Sequence, residues 1–159
     1  MKVELLSSCE EDTLAIARAL GEVLRPGDVV ALVGDLGAGK TVFCKGVGEA
    51  LGIPRERIVS PSFTIVTEHQ GTLPLRHVDV YRLSSEGEAL DIGLDEVFTE
   101  DRVCLVEWAE KIRFLLPNDT IGVTFSILGG DGRRLSIEAK DDPRFWKFLS
   151  RVRSLMPGG

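Results

Sequence analysis

Gly34, Asp35, Leu36, Gly37, Ala38, Gly39, Lys40 and Thr41 are the residues of this 159-residue chain whose types and spacing most directly suggest chemistry. They fit G-x-x-x-x-G-K-[ST], a spacing in which glycines let successive backbone N–H groups turn inward as a cradle for anionic oxygens. A helix that begins at the end of such a cradle adds its own unpaired N–H groups and the positive end of its dipole. The expected occupant is the polyphosphate of a nucleoside triphosphate, with Lys40 reaching the β and γ phosphates and the Thr41 hydroxyl ligating magnesium. The competing reading is a glycine-rich turn that merely caps a helix, and the flanking pattern weighs against it. Residues 29 to 33 form a continuous apolar run suited to a buried parallel strand; Val42, Phe43, Val47, Ala50 and Leu51 then recur at helical spacing until Gly52 and Pro54.

Phosphoryl transfer needs a second anchor for magnesium, normally a carboxylate at the end of an apolar strand beside the loop strand. Glu107, after Val103 to Val106, has that position. Its arm is one methylene longer than that of Asp, so contact through a water is as reasonable as direct ligation; the alternative is a solvated strand-end carboxylate. Asp79 is the candidate to orient or deprotonate an attacking water, sharing one side of its strand with His77 and Tyr81. A structural polar cluster of those three residues is the other reading. Thr64 is placed as a γ-phosphate sensor or a simple turn residue, Arg82 as a phosphate contact or surface charge, and Trp108 as a nucleotide neighbour or a core residue.

The elements that must position these groups are visible in the periodicity. Ser8 and Glu11 have capping-box spacing before a helix carrying Leu14, Ala17, Leu20 and Val23, stopped by Arg25-Pro26-Gly27. Phe63, Ile65 and Thr67 alternate as a strand broken at His69-Gln70-Gly71-Thr72. Leu73 to Tyr81 alternates again, giving an antiparallel hairpin. A short surface helix is expected over Ser84 to Leu94, then a loop-rich stretch to Asp101. Ile121 to Ile127 and Leu135 to Ala139 form a second hairpin about Gly129-Gly130-Asp131-Gly132. Asp142-Pro143 begins a terminal helix with Phe145, Leu149 and Val152 on its buried stripe. The pattern predicts an α/β protein: a three-layer P-loop NTPase-like sandwich, its mixed sheet parallel in the centre with antiparallel edge hairpins, as a single domain over residues 1–159.

Bulk properties narrow the function. A net charge of -6 without a lysine and arginine block argues against unaided tight binding to nucleic acid. The start turns acidic after a short apolar stretch, unlike a secretory signal or a spanning helix, so a cytoplasmic location without membrane association is expected. Three scattered cysteines and two histidines suggest neither a disulfide framework nor a zinc site.

In order, Gly34 to Thr41, Ser60-Pro61-Ser62-Phe63-Thr64, His77-Val78-Asp79-Val80-Tyr81-Arg82 and Glu107-Trp108-Ala109-Glu110 resemble the TsaE (YjeE) family of bacterial ATPases. The motif-bearing part runs from Val29 to Glu110, while both ends agree only in architecture. The resemblance implies an ATP- and Mg2+-dependent accessory ATPase that works with TsaB and TsaD in forming N6-threonylcarbamoyladenosine beside the anticodon of tRNA, meeting tRNA only through the complex. It further implies that Gly37 to Thr41 hold phosphates, Thr41 and Glu107 hold magnesium, Asp79 serves hydrolysis and Ser60 to Thr64 respond to the nucleotide. By rough alignment, Glu10 and Gly132 or Arg133 edge the adenine pocket. Val42 departs from a threonine frequent in the family, and Ser62 is a conservative variant. A small-molecule kinase is the alternative, weakened by the lack of an Arg-rich lid between the late strands. A GTPase switch is a third class, but the sequence has no Asn-Lys-x-Asp segment to read guanine, and a module that binds without hydrolysing is the remaining alternative.

Overall fold

The computed structural model describes residues 1–60 and 65–155, so the Pro61 to Thr64 part of the predicted switch segment lies outside the described residues. These residues build one sheet of seven strands: β1 (Lys2–Ser7), β2 (Val29–Val33), β3 (Val66–Gln70), β4 (Pro74–Asp79), β5 (Val103–Glu107), β6 (Ile121–Gly129) and β7 (Gly132–Glu138). Their spatial order is β1-β7-β6-β2-β5-β4-β3. The central β6, β2, β5 and β4 run parallel, and β1, β7 and β3 pair antiparallel at the sides.

Alternation along the central strands feeds two cores. Val30, Leu32, Leu75, Leu105, Val123 and Phe125 face one side, packed against α1 (Glu10–Gly21), α2 (Lys40–Ala50) and α4 (Arg144–Leu155). Val29, Ala31, Val78, Val80, Cys104 and Val106 face the other, covered by α3 (Glu86–Asp91) and the 3-10 segments Leu94–Glu96 and Ala109–Leu115. The result is the predicted three-layer α/β sandwich, with β2, β4 and β5 directing their carboxyl ends to one rim.

Several local expectations are corrected. β1 was not anticipated, and β3 continues through His69 and Gln70 because their backbones pair with Leu75 and Pro74. The α1 N-cap is Cys9 without a side-chain cap. The Ser8 N–H instead donates to Asp12 (2.8 Å), so the reciprocal bond comes from Asp12 rather than Glu11. The helix expected over Ser84 to Leu94 is shorter, and Leu94 is buried in the 3-10 turn that follows it. In α4, Phe148 is fully buried and Leu149 only partly, so the inward stripe is rotated toward Phe145, Phe148 and Val152.

α1 and α2 approach closely because Gly46 faces α1: a Cβ there would lie 2.5 Å from Ala17 Cβ and 2.7 Å from the Leu14 carbonyl oxygen. Gly46→Val is therefore expected to destabilise the fold by about 1–3 kcal/mol through overpacking, read as a lowered midpoint in denaturant unfolding.

Candidate functional site

The glycine-rich loop, residues 34–41, follows β2 directly. Gly37 (φ +78°) and Gly39 (φ +105°) occupy backbone conformations that side chains disfavour, and they let the chain reverse before α2 begins. Gly39 is the N-cap of α2 and offers no side chain, so the first helical N–H groups are left for a ligand. Lys40 folds back over the loop: Nζ donates to the carbonyl oxygens of Gly34 and Asp35 (2.5 and 2.9 Å) and lies 4.0 Å from the centre of the Trp108 ring. Burial pushes its pKa below the ordinary lysine value, while the carboxylates of Glu107, Glu110, Asp79 and Asp35 pull it back up.

Parallel pairing of β4 and β5 sets Asp79 opposite Glu107, and pairing of β2 and β5 sets Leu32 opposite Glu107. Both carboxylates consequently reach the rim where the loop lies. Thr41 Oγ1 donates to Glu107 Oε1 at 2.9 Å, and His77 Nε2 shares a hydrogen bond of 2.6 Å with Glu107 Oε2. Asp79 accepts from Ser60 Oγ through Oδ2 and from the Tyr81 N–H through Oδ1, each at 2.9 Å. The expected His77, Asp79 and Tyr81 cluster is thus divided. Tyr81 lies beyond the end of β4, its ring packs on Trp108 at 4.9 Å, and its carbonyl accepts from Lys111. Trp108 is the one non-glycine residue with positive φ among the described residues (+61°), where the chain turns sharply after β5.

A cleft of about 400 Å³ opens above this floor. Leu36 through Thr41 wall one side, Asp79, Glu107 and Trp108 lie beneath, and Glu10 and Arg133 stand at the rim. Gly34 and Asp35 do not line it; their carbonyls hold Lys40. Gly132 does not line it either, and its carbonyl accepts from Arg133 Nη1 (2.8 Å), whose Nη2 reaches the Gly37 carbonyl (3.1 Å). Cys9, Thr13, Val42, Ser60 and Asp131 also line the cleft, and of these sequence reasoning links only Ser60, as part of the nucleotide-responsive segment, to the nucleotide. Only their convergence in space marks them, apart from Ser60, which opens a motif.

Cys9 is exposed at this cleft, whereas burial raises the Cys44 thiol well above its usual pKa and pushes Cys104 up to about 12. Near pH 8 the two buried groups hold almost no thiolate, the reactive form. A thiol reagent should label Cys9 alone in the native protein and all three cysteines after denaturation, as counted by mass spectrometry.

A parallel-centred sheet with a phosphate loop after β2 and strand-end carboxylates beside it defines the P-loop NTPase-like class. Residues 7–135 match the family described as threonylcarbamoyl adenosine biosynthesis protein TsaE, and the chain belongs to it. It is 48% identical over 130 residues to the tRNA threonylcarbamoyladenosine biosynthesis protein TsaE of Bacillus subtilis, covering 81% of this chain and 80% of that one. The Treponema pallidum protein of the same description is 39% identical over 132 residues, covering 83% and 97% respectively. A crystal structure of Bacillus subtilis YdiB superposes with a TM-score of 0.77 at 37% identity, over 98% of this chain and 97% of that one. No helix among the described residues is long and apolar enough to cross a membrane.

Proposed function

We propose that this chain binds and hydrolyses ATP with Mg2+ as an accessory factor in forming N6-threonylcarbamoyladenosine in tRNA, acting with TsaB and TsaD in the cytoplasm. The pathway follows from membership of the TsaE family, and relatives described as tRNA threonylcarbamoyladenosine biosynthesis proteins support it. The chemistry rests on one observation: the 2.9 Å contact between Thr41 and Glu107 on the floor of a cleft walled by the phosphate loop.

That donor pair fits Mg2+. Hydroxyl and carboxylate oxygens are the hard ligands it prefers, and two adjacent ligands of an octahedral ion with bonds of about 2.0–2.1 Å stand about 2.9 Å apart. Thr41 and Glu107 would hold the ion, whose contribution is to neutralise charge on the β and γ oxygens. The rest falls to the chain itself. Backbone N–H groups from Gly37 to Thr41 bind the phosphates, and Lys40 exchanges its two loop carbonyls for phosphate oxygens. Asp79, steadied by Ser60 and the Tyr81 N–H, orients the attacking water. Glu10, Asp131 and Arg133 border the end of the cleft where the base would lie.

Asp79→Asn keeps the shape of this side chain and removes its charge. It is expected to lower turnover by about 10²–10⁴-fold while leaving ATP affinity nearly unchanged, as measured by phosphate release and equilibrium binding. TsaB and TsaD are expected to accelerate hydrolysis by completing the site, because Arg133, which lines the cleft, is engaged by the carbonyls of Gly37, Gly130 and Gly132. Equal rates for the isolated chain and the three-protein mixture would contradict partner activation. In cells carrying this chain as the sole TsaE, mass spectrometry of tRNA nucleosides should detect threonylcarbamoyladenosine with the wild type and its loss with Lys40→Ala. Undiminished modified nucleoside in the variant would refute a role for ATP.

A further inference from the structure

We propose that His77 is a positioning residue for this chemistry: it anchors one oxygen of Glu107 so that the other stays turned to Thr41, presenting a preformed oxygen pair to a divalent cation. The proposal rests on the ATPase reading above. His77 lies on β4, two residues after Leu75 and two before Asp79, on the sheet face that packs against α2. It is 0% exposed, as buried as Leu75. Yet it carries two polar nitrogens, and Nδ1 has no hydrogen-bond partner among the described residues. A buried polar atom without a partner disfavours the fold, and an apolar residue would fill this place without that cost.

An apolar residue could not hold Glu107. That carboxylate is also buried, and a carboxylate with both oxygens free of anchors could rotate away from Thr41. Here Oε2 is held by His77 at 2.6 Å and Oε1 meets Thr41 at 2.9 Å, so the group has one orientation. Cys44, whose sulfur lies within 4.8 Å of the His77 and Glu107 ligand atoms, is held as a neutral thiol by burial and adds no competing anion. Partners that orient a ligand in this way commonly change metal affinity or activity by about 10–100-fold when removed.

The test compares wild type with His77→Ala, His77→Leu and His77→Gln. Mn2+ binding to the protein with a non-hydrolysable ATP analogue is followed by electron paramagnetic resonance, beside Mg2+ titrations of phosphate release. His77→Ala and His77→Leu should each weaken Mn2+ binding and raise the Mg2+ concentration for half-maximal rate by about 10-fold or more, with metal-free nucleotide affinity held within a few-fold. His77→Gln, whose amide can donate to Oε2, should recover much of the loss. Leu fills the space if Ala does not fold, and thermal unfolding identifies the folded variants. Unchanged Mn2+ affinity in either folded variant overturns the proposal. A wild type that neither binds Mn2+ with nucleotide nor hydrolyses ATP overturns the ATPase reading instead.

Discussion

Lys40→Ala is expected to reduce ATP turnover by about 10²–10³-fold and to weaken ATP binding, with the fold retained. Lys40 Nζ now sits between the carbonyls of Gly34 and Asp35 and over the Trp108 ring, only 5% exposed. The ammonium is therefore held at the glycine-rich loop, and it would have to exchange these two carbonyls for the oxygens of a bound phosphate. Burial lowers its pKa from the ordinary lysine value, and neighbouring carboxylates limit that fall. Removing it leaves two loop carbonyls with one donor fewer, a change of about 1 kcal/mol in stability. Phosphate release and thermal unfolding on the same preparation separate the two effects. Turnover within threefold of wild type would show that Lys40 is only a structural tether of the loop.

The second large effect is expected from Thr41 and Glu107. Each single change, Thr41→Ala or Glu107→Gln, should lower Mg2+-dependent turnover by about 10²–10³-fold, and the double variant should be hardly worse than either one. Non-additivity follows from geometry: side chains 2.9 Å apart serve a single ion, so losing the first donor removes most of what the second contributes. Gln is chosen at 107 because its amide oxygen can still accept from His77 in the buried pocket, whereas Ala would leave that ring unsatisfied. Costs that multiply in the double variant would mean that the two residues act separately, and a shared ion would be the wrong explanation.

The rim of the cleft was largely legible from local pattern. A wholly apolar strand, eight loop residues and an amphipathic helix are contiguous, so β2, the glycine-rich loop and α2 needed no tertiary information. The place of Glu107 beside that loop was legible because a buried strand must end where the neighbouring loop begins. β1 was not: Val3, Leu5 and Ser7 face inward, but the inward Ser7 is polar and the outward Leu6 is apolar yet 58% exposed, which hides the alternation in the sequence. Edge pairing carries the polar end of β3 into the sheet, and a single sequence gives no sign of who pairs with it. The capping error at α1 arose because Ser8, Glu11 and Asp12 offer two plausible registers, and the backbone chose Asp12.

The remainder of the cleft was illegible for a different reason. Cys9, Thr13 and Asp131 are brought to it from segments more than a hundred residues apart in the case of Cys9 and Asp131, by the pairing of β1 with β7. Arg133 was placed near the base by resemblance, yet its hydrogen bond to the Gly37 carbonyl, linking the last hairpin to the phosphate loop, is a property of the folded chain alone. The His77 to Glu107 bond lies between these cases. Strand alternation put His77 on the same side as Asp79, but only the parallel register of β4 and β5 aims it at Glu107.

Isothermal titration calorimetry with ATP and Mg2+ on the purified, folded chain tests the phosphate-cradle assignment most directly. Saturable binding of one ATP per chain is predicted, much weakened by Lys40→Ala and losing its Mg2+ dependence in Thr41→Ala. Absence of binding in folded wild-type protein, or equal binding by all three proteins, would contradict it.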